Sequence, residues 1–471
     1  MKNVNTHKQA AVKNAAHGQQ RSYNELVEYL DVNWSTNKND NTLSCIKKLD
    51  QAFGNISQKL NTILITGSNG KSLTAHFTTK LLREEGLTVG TFYSPHFLTY
   101  NERFSCNDDV ILNKTFTDLA NEVINTATAI KISPNSIDVL TMMALLYFEK
   151  NKTDVVVLEV SDSKTSNAVT ICKPKIVAVT RVTEPEVEKN PKEVIENVLA
   201  FVQDGTHVVS ADQSKANLQI MQDITTQKGG EWSMPIRKLA QLSYPFEQLH
   251  GRCAALAERI SFVYINTFAN QDAMVVNNSL LTKQKGQRGR PTLEAKRQSE
   301  LNPKRTTEQF WKETCSMLPG RFQLLDKEKP TILLDNAATI DAFKNVLLGT
   351  RLLHYQRPLK GLTVILGCNN NTIDISEFLK LLRYFFKKTS GQVIVCPVEP
   401  LPGHQGEHAW DVEKVTNDIK SMKIKAKSAK NFKEAFETAQ KTVDTRYGLV
   451  VITGSSSVVT EYWKYKGIKK L

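Results

Sequence analysis

The chain has 471 residues, too many for one hydrophobic core, so two domains or more are expected. Hydrophobic residues make up 40% of it and charged residues 23%, as in a water-soluble globular protein, and no stretch reaches the ~20 apolar residues of a membrane-spanning helix. The formal net charge of +13 admits nucleic acid, an anionic surface or an anionic small substrate as partner, while seven scattered cysteines without a CxxC pair point to a reducing, cytoplasmic setting.

Residues 1–21 are polar, lack an apolar segment, and read as a loose tail rather than a secretory leader. Tyr23–Leu30 and Leu43–Phe53 read as short helices, the second closed by Gly54. Asn61–Thr66 is a short β-branched apolar run, hence a buried strand. Gly67-Ser-Asn-Gly-Lys-Ser72 breaks it, and Leu73, Phe77 and Leu81 then recur every four residues along one helix face. Gly86 closes that helix and Leu87–Tyr93 forms the next strand, so strand, glycine loop, helix and strand make a βαβ unit with a parallel sheet.

The alternation continues with a helix over Ser136–Lys150, strands at Asp154–Val160, Lys175–Thr180 and Thr206–Ser210, and a helix near Leu249–Val263. Between Lys283 and Arg305 stand eight Lys or Arg and two acids, Glu294 and Glu300; we read 283–306 as a solvated basic arm or linker, although its Arg288-Gly-Arg-Pro291 also has the form of a minor-groove arginine clamp. Strands at Pro330–Asp335, Leu362–Gly367, Gln392–Cys396 and Leu449–Thr453 then alternate with helices such as Ile375–Lys387 and Phe432–Val443. The fold class expected is α/β: an N-terminal P-loop parallel-sheet domain over 22–316 and a C-terminal Rossmann-like α/β domain over 317–471.

The chemistry concentrates in the loop after the first strand. Gly67 and Gly70 allow a tight turn that points backbone N–H groups inward, the following helix N-terminus adds partial positive charge, and Lys71 adds a full one. Together with Ser68, Asn69 and Ser72 they form a cradle for nucleotide phosphates. With Ile65 where the longer phosphate loop has its first glycine, the loop is of the shorter GxxGKS form.

That short loop resembles the one of the Mur ligase superfamily, and further segments resemble folylpolyglutamate and dihydrofolate synthases. Tyr93-Ser-Pro-His96 with Phe97-Leu-Thr-Tyr-Asn-Glu-Arg-Phe104 is similar to the family's TSPHL…FNERI. Ile137-Asp-Val-Leu-Thr141 resembles FExxT, Leu158-Glu-Val160 LEVG, Leu318-Pro-Gly-Arg321 WPGR, Leu334-Asp-Asn-Ala337 LDGAHN and Ile452-Thr-Gly-Ser455 VTGS, so the similarity runs in order from about residue 22 to 462.

The resemblance implies a Mur ligase central-type ATPase domain followed by the Rossmann-like ligase domain. It also implies an ATP-dependent joining of L-glutamate to a folate or pteroate carboxylate through an acyl phosphate. ATP and Mg²⁺ are the implied cofactors, and the small-molecule substrates the implied partners. Nucleic acid and membrane are not expected, and a monomer is. By the same resemblance Lys71 and Glu159 are the catalytic residues; Gly67, Ser68, Asn69, Gly70, Lys71, Ser72, Arg321 and Asp335 bind ATP; Ser94, Glu159 and Glu186 hold the metal; and His96 and Arg103 contact substrate.

The chain departs from the family at several of these places. Ser161-Asp-Ser-Lys-Thr-Ser-Asn167 stands where the family has GLGGRLDATN. Thr183-Glu-Pro-Glu186 replaces GLDH, Val198 the lysine that becomes carbamylated, Ala338 and Thr339 a histidine and asparagine, and Cys253–Ala257 a polar HQxxNA. Two readings stay open: a ligase that runs on substituted groups, or a nucleotide-binding relative that has lost turnover and serves as scaffold or regulator.

Overall fold

The computed structural model describes residues 18–34, 42–160, 168–183, 191–269, 306–314, 318–368, 374–401 and 410–471. The chain divides into two units: Met1–Pro95, Arg103–Val182 and Pro191–Cys315 in the first, His96–Glu102, Thr183–Asn190 and Ser316–Leu471 in the second. The basic arm, residues 283–305, and Glu186 lie outside the described residues.

In the first unit, helix α1 (Tyr23–Val32) starts from a capping box, with Ser22 accepting from the Glu25 amide and Glu25 accepting from the Ser22 amide. Helix α2 (Thr42–Ala52) follows, then β1 (Thr62–Thr66), α3 (Lys71–Glu84) and β2 (Val89–Phe92). Next come two short strands, β3 (Phe104–Cys106) and β4 (Asp109–Val110), and helices α4 (Asn113–Ala129) and α5 (Ser136–Lys150). The unit continues through β5 (Val155–Glu159), β6 (Pro174–Val179), α6 (Pro191–Val198), β7 (His207–Ser210), α7 (Lys215–Gln227), β8 (Glu231–Ser233), α8 (Phe246–Val263) and α9 (Thr307–Thr314). Its sheet has the order β4-β3-β2-β5-β1-β6-β7-β8, parallel except for the antiparallel β3 and β4 at one edge.

Every residue of β1 is buried, as expected of a strand flanked by β5 and β6 and covered on both faces. The chain leaves β1 toward β2 on one side and leaves β5 toward β6 on the other, so the carboxyl ends of β1 and β5 form a topological switch point, where open α/β sheets carry their sites. Helix α3 buries Leu73, Phe77 and Leu81, the expected stripe. Four residues of the expected tail are described, and they are not loose: the Arg21 amide donates to Asn121 Oδ1 at 2.9 Å, and Asn125 Nδ2 donates to the Gln19 carbonyl at 3.1 Å.

The second unit carries β9 (Gln323–Leu325), β10 (Thr331–Leu334), α10 (Ile340–Gln356), β11 (Leu362–Leu366), α11 (Ile375–Phe386), β12 (Gln392–Val395), α12 (Val412–Ser421), β13 (Lys425–Ser428), α13 (Phe432–Thr442), β14 (Leu449–Thr453) and α14 (Ser456–Tyr465). Its sheet order is β13-β12-β11-β14-β10-β9, parallel apart from β9. Phe97, from far upstream, belongs to this core with Ile332, Leu334, Ile452 and Val458, and its carbonyl accepts from Thr460 Oγ1 at 3.1 Å. No helix among the described residues is long and apolar enough to cross a membrane.

Candidate active site

The loop between β1 and α3 is shaped by its two glycines. Gly67 has φ +114°, and a Cβ there would lie 2.4 Å from Thr180 Oγ1. Gly70, the N-cap of α3, has φ +87°, and a Cβ there would lie 2.8 Å from Cys253 Sγ on α8. Both positions therefore demand glycine on two counts, backbone and space. The Ser68 and Asn69 amides donate to the Arg181 carbonyl at 3.0 and 3.2 Å, which pins the loop to the end of β6. Lys71 Nζ donates to the Gly67 carbonyl at 2.9 Å, so the ammonium lies back over the loop it serves. The first turn of α3 supplies amides that no helix can satisfy internally, and these with Lys71 make a positive cradle.

Glu159 ends β5 directly beside β1, with Ile65 and Glu159 in register. It is 3% exposed. Its Oε1 accepts from Ser72 Oγ at 2.8 Å and its Oε2 accepts from the Ser94 amide at 3.1 Å. Each carboxylate oxygen thus has a donor that fixes its orientation. Arg103 Nη1 donates to Ser94 Oγ at 3.3 Å, and its guanidinium lies 5.1 Å from the Trp34 ring centroid. Arg103, also buried, joins Trp34, Phe92, Ser94, Ile137, Leu140 and Glu159 around a cavity of about 30 Å³.

The expected site residues therefore fall into separate groups. Gly67 to Ser72, Ser94, Arg103 and Glu159 come together in the first unit. His96 belongs to the second unit, where its ring sits 4.3 Å from that of Tyr100. Arg321 and Asp335 stand there too. The Arg321 guanidinium lies 5.2 Å from the Phe97 ring centroid, and Gly320 approaches that ring so closely that a Cβ would be 2.6 Å from it. Asp335 accepts from the Phe322 and Ala337 amides, both at 2.8 Å. Burial pushes its carboxyl up to about 6, against those two bonds and the nearby Arg321 charge. Thr339, at the position of the family's asparagine, caps α10 by accepting from the Ala342 amide at 3.2 Å.

Sequence reasoning missed three contributors. Glu102 accepts from the amides of Phe97, Leu98 and Thr99 at 2.8, 3.0 and 2.7 Å, folding the loop that separates Ser94 from Arg103. Cys253 supports Gly70, with its thiol pushed up to about 11 by burial. Arg181 contributes its carbonyl, a backbone role that no side-chain pattern could reveal.

Residues 65–214 match the Mur ligase middle domain. Over 224 residues the chain is 25% identical to a dihydrofolate synthase/folylpolyglutamate synthase of Bacillus subtilis, covering 46% of this chain and 49% of that protein. Over 124 residues it is 37% identical to a probable bifunctional folylpolyglutamate synthase/dihydropteroate synthase of Halobacterium salinarum, covering 26% and 15%. Residues 65–214 thus carry a Mur ligase middle domain, and the curated relatives that the chain matches first are folylpolyglutamate and dihydrofolate synthases. By sequence the chain spans less than half the length of the curated relatives it matches first. The family fold extends further: a Mycobacterium tuberculosis folylpolyglutamate synthase complexed with ADP superposes with TM-score 0.72 at 16% identity, covering 98% of this chain and 99% of that one. A bifunctional folylpolyglutamate synthase/dihydrofolate synthase of Yersinia pestis, complexed with AMPPNP and a Mn ion, gives 0.70 at 19% identity, covering 95% and 98%.

Among the described residues no three His, Cys, Asp or Glu side chains gather to hold a metal ion. Mg²⁺, however, usually takes only one or two protein oxygens, with phosphates and water for the rest. The Ser72 hydroxyl and the Glu159 carboxylate, in contact at the mouth of the phosphate loop, are hard oxygen donors of that kind. The donor set fits a metal that arrives with nucleotide and does not fit one held by protein alone.

Proposed function

We propose that the chain is an ATP-dependent ligase that joins the amino group of L-glutamate to a folate or pteroate carboxylate, with Mg²⁺ accompanying ATP. The observation that carries this reading is the Ser72–Glu159 hydrogen bond at 2.8 Å beside a glycine loop crowned by Lys71. Phosphoryl transfer to a carboxylate concentrates negative charge, and the catalyst's task is to neutralise it and exclude water. In this reading Lys71 and the first-turn amides of α3 hold the phosphates. Ser72 and Glu159 hold the metal, whose contribution is to offset phosphate charge. The cavity walled by Phe92, Ile137 and Leu140 receives the acceptor acid, and Arg103 at its rim attracts the carboxylate. At about 30 Å³ the cavity holds little more than a water, so its lining must part for an aromatic acid to enter.

A second reading, nucleotide binding without turnover, is favoured by Val198 and Ala338, which stand where the family has a lysine and a histidine. One experiment separates them. Purified protein with Mg-ATP is assayed for ADP release with and without L-glutamate and a pteroyl acceptor, alongside Lys71→Ala. Release that requires both substrates and vanishes in the variant supports the ligase. ATP binding without any glutamylated product, read by mass spectrometry, supports the second reading.

A further inference from the structure

The outer side of α11 carries an unusual concentration of positive charge. Phe378, Leu379, Leu382 and Phe385 are buried against the sheet, which leaves Lys380, Arg383, Tyr384 and Lys387 at spacing i, i+3, i+4, i+7 as one continuous exposed stripe. With Met422, Lys423 and Ile424 they enclose a hollow of about 490 Å³. No acid lines it. Among the described residues none of Lys380, Arg383, Lys387 and Lys423 forms an ion pair, and the acid on the same helix, Glu377, faces Lys344 at 3.4 Å.

Two tyrosines extend this surface. Tyr384 is 55% exposed and Tyr355, on α10, is 68% exposed. Lys388 Nζ donates to Tyr384 Oη at 3.1 Å, and Arg351 Nη2 donates to Tyr355 Oη at 3.2 Å. Residues 318–471 hold 24 Lys or Arg and 15 Asp or Glu, a net +9, so the basic arm is not the main seat of the excess charge. Like charges three and four residues apart repel, and among the described residues no ion pair offsets that repulsion here. Phe386, Met422 and Ile424 line the hollow together with the flat Tyr384 phenol, which suits stacking rather than insertion into lipid.

We propose that this face of α10 and α11 binds single-stranded nucleic acid, with Lys380, Arg383, Lys387 and Lys423 contacting phosphates and Tyr355 and Tyr384 stacking on bases. The binding is independent of the ligase reaction.

The test is fluorescence anisotropy of the full chain with labelled single-stranded RNA, a duplex of equal length, and anionic phospholipid vesicles as competitor. The single strand binds more tightly than the duplex. Tyr355→Ala with Tyr384→Ala weakens single-strand binding on the order of tenfold and leaves the salt dependence unchanged. Alanine at the four cations lowers the slope of log K against log salt by about 3, at ~0.7 per phosphate contact. Unchanged binding in both variants at unchanged melting temperature overturns the proposal. So does equal loss of single-strand and duplex binding in the tyrosine variant, or binding to vesicles alone.

Discussion

Ser72, in the first turn of α3, and Glu159, at the end of β5, are joined by a 2.8 Å hydrogen bond across 87 residues of sequence. The second oxygen of Glu159 is engaged by the Ser94 amide, so both lone-pair sites facing the loop are held by donors. A glutamine here must turn an N–H₂ toward one of them. Glu159→Gln is therefore expected to lower ADP formation on the order of 10²-fold or more and to cost about 1–3 kcal/mol locally. Steady-state kinetics with thermal melting checks it; activity within a few-fold of wild type removes Glu159 from the machinery.

The contact of Gly70 with Cys253 is testable as a cycle. Gly70→Ala places a methyl 2.8 Å from Cys253 Sγ at φ +87°. The left-handed backbone alone costs about 1–2 kcal/mol, and the clash adds to it. Nucleotide affinity should fall at least tenfold. Cys253→Ala in the same chain should recover the steric part and leave the backbone part, a coupling that calorimetric titration with ADP resolves. Purely additive losses would show that the thiol does not shape the loop.

Asp138 predicts a pH dependence. It is 1% exposed at the start of α5, and among the described residues Oδ1 has no hydrogen-bond partner, while Oδ2 accepts from the Asn135 amide at 3.4 Å. Burial pushes its pKa from 3.8 to about 7. The folded state then holds a proton that the unfolded chain has released, so this group makes stability fall as pH rises from about 4 to about 7, and the penalty is complete above that. Asp138→Asn removes the effect, raising stability at pH 8 by up to about 4 kcal/mol and flattening the profile between pH 4 and 7. A melting-temperature series in both proteins reads this. An unaltered profile places the titration elsewhere.

Helix α9 is fastened by Trp311, whose Nε1 donates to Glu258 Oε1 at 2.6 Å while its ring packs edge-on against Phe77 at 5.0 Å. Trp311→Phe keeps the ring contact but leaves the largely buried Glu258 without this donor, at about 1–3 kcal/mol. Trp311→Ala loses both, at about 3–5 kcal/mol. Chemical denaturation should rank wild type, phenylalanine and alanine in that order.

Much of the architecture was readable along the chain. Runs such as Asn61–Thr66, Asp154–Val160 and Leu449–Thr453 appear as β1, β5 and β14 within a residue or two, because a strand covered on both faces must be apolar throughout. Elements with a mixed outer face escaped: α7 and α12 bury only a few positions each, and the edge strand β13 is lysine-rich with only Ala426 buried. Edge strands carry charge to discourage further pairing, and that charge masks them from a hydrophobicity pattern. The expectation of a loose tail failed at residues 18–21, since their anchors, Asn121 and Asn125, lie a hundred residues downstream.

The sequence by itself determined the class of fold and the place of the glycine loop, because each is written in short-range order: a strand, two glycines, a lysine, an apolar stripe. Only the tertiary structure decided which distant groups complete the site. Pairing β5 beside β1 brings Glu159 to Ser72, and the packing of α8 on α3 brings Cys253 to Gly70. The turn held by Glu102 assigns His96 to one unit and Arg103 to the other, although both belong to one continuous motif. Hydrogen bonds and van der Waals contacts act over a few ångströms, so partners separated by scores of residues leave no local trace until the sheet order places them side by side.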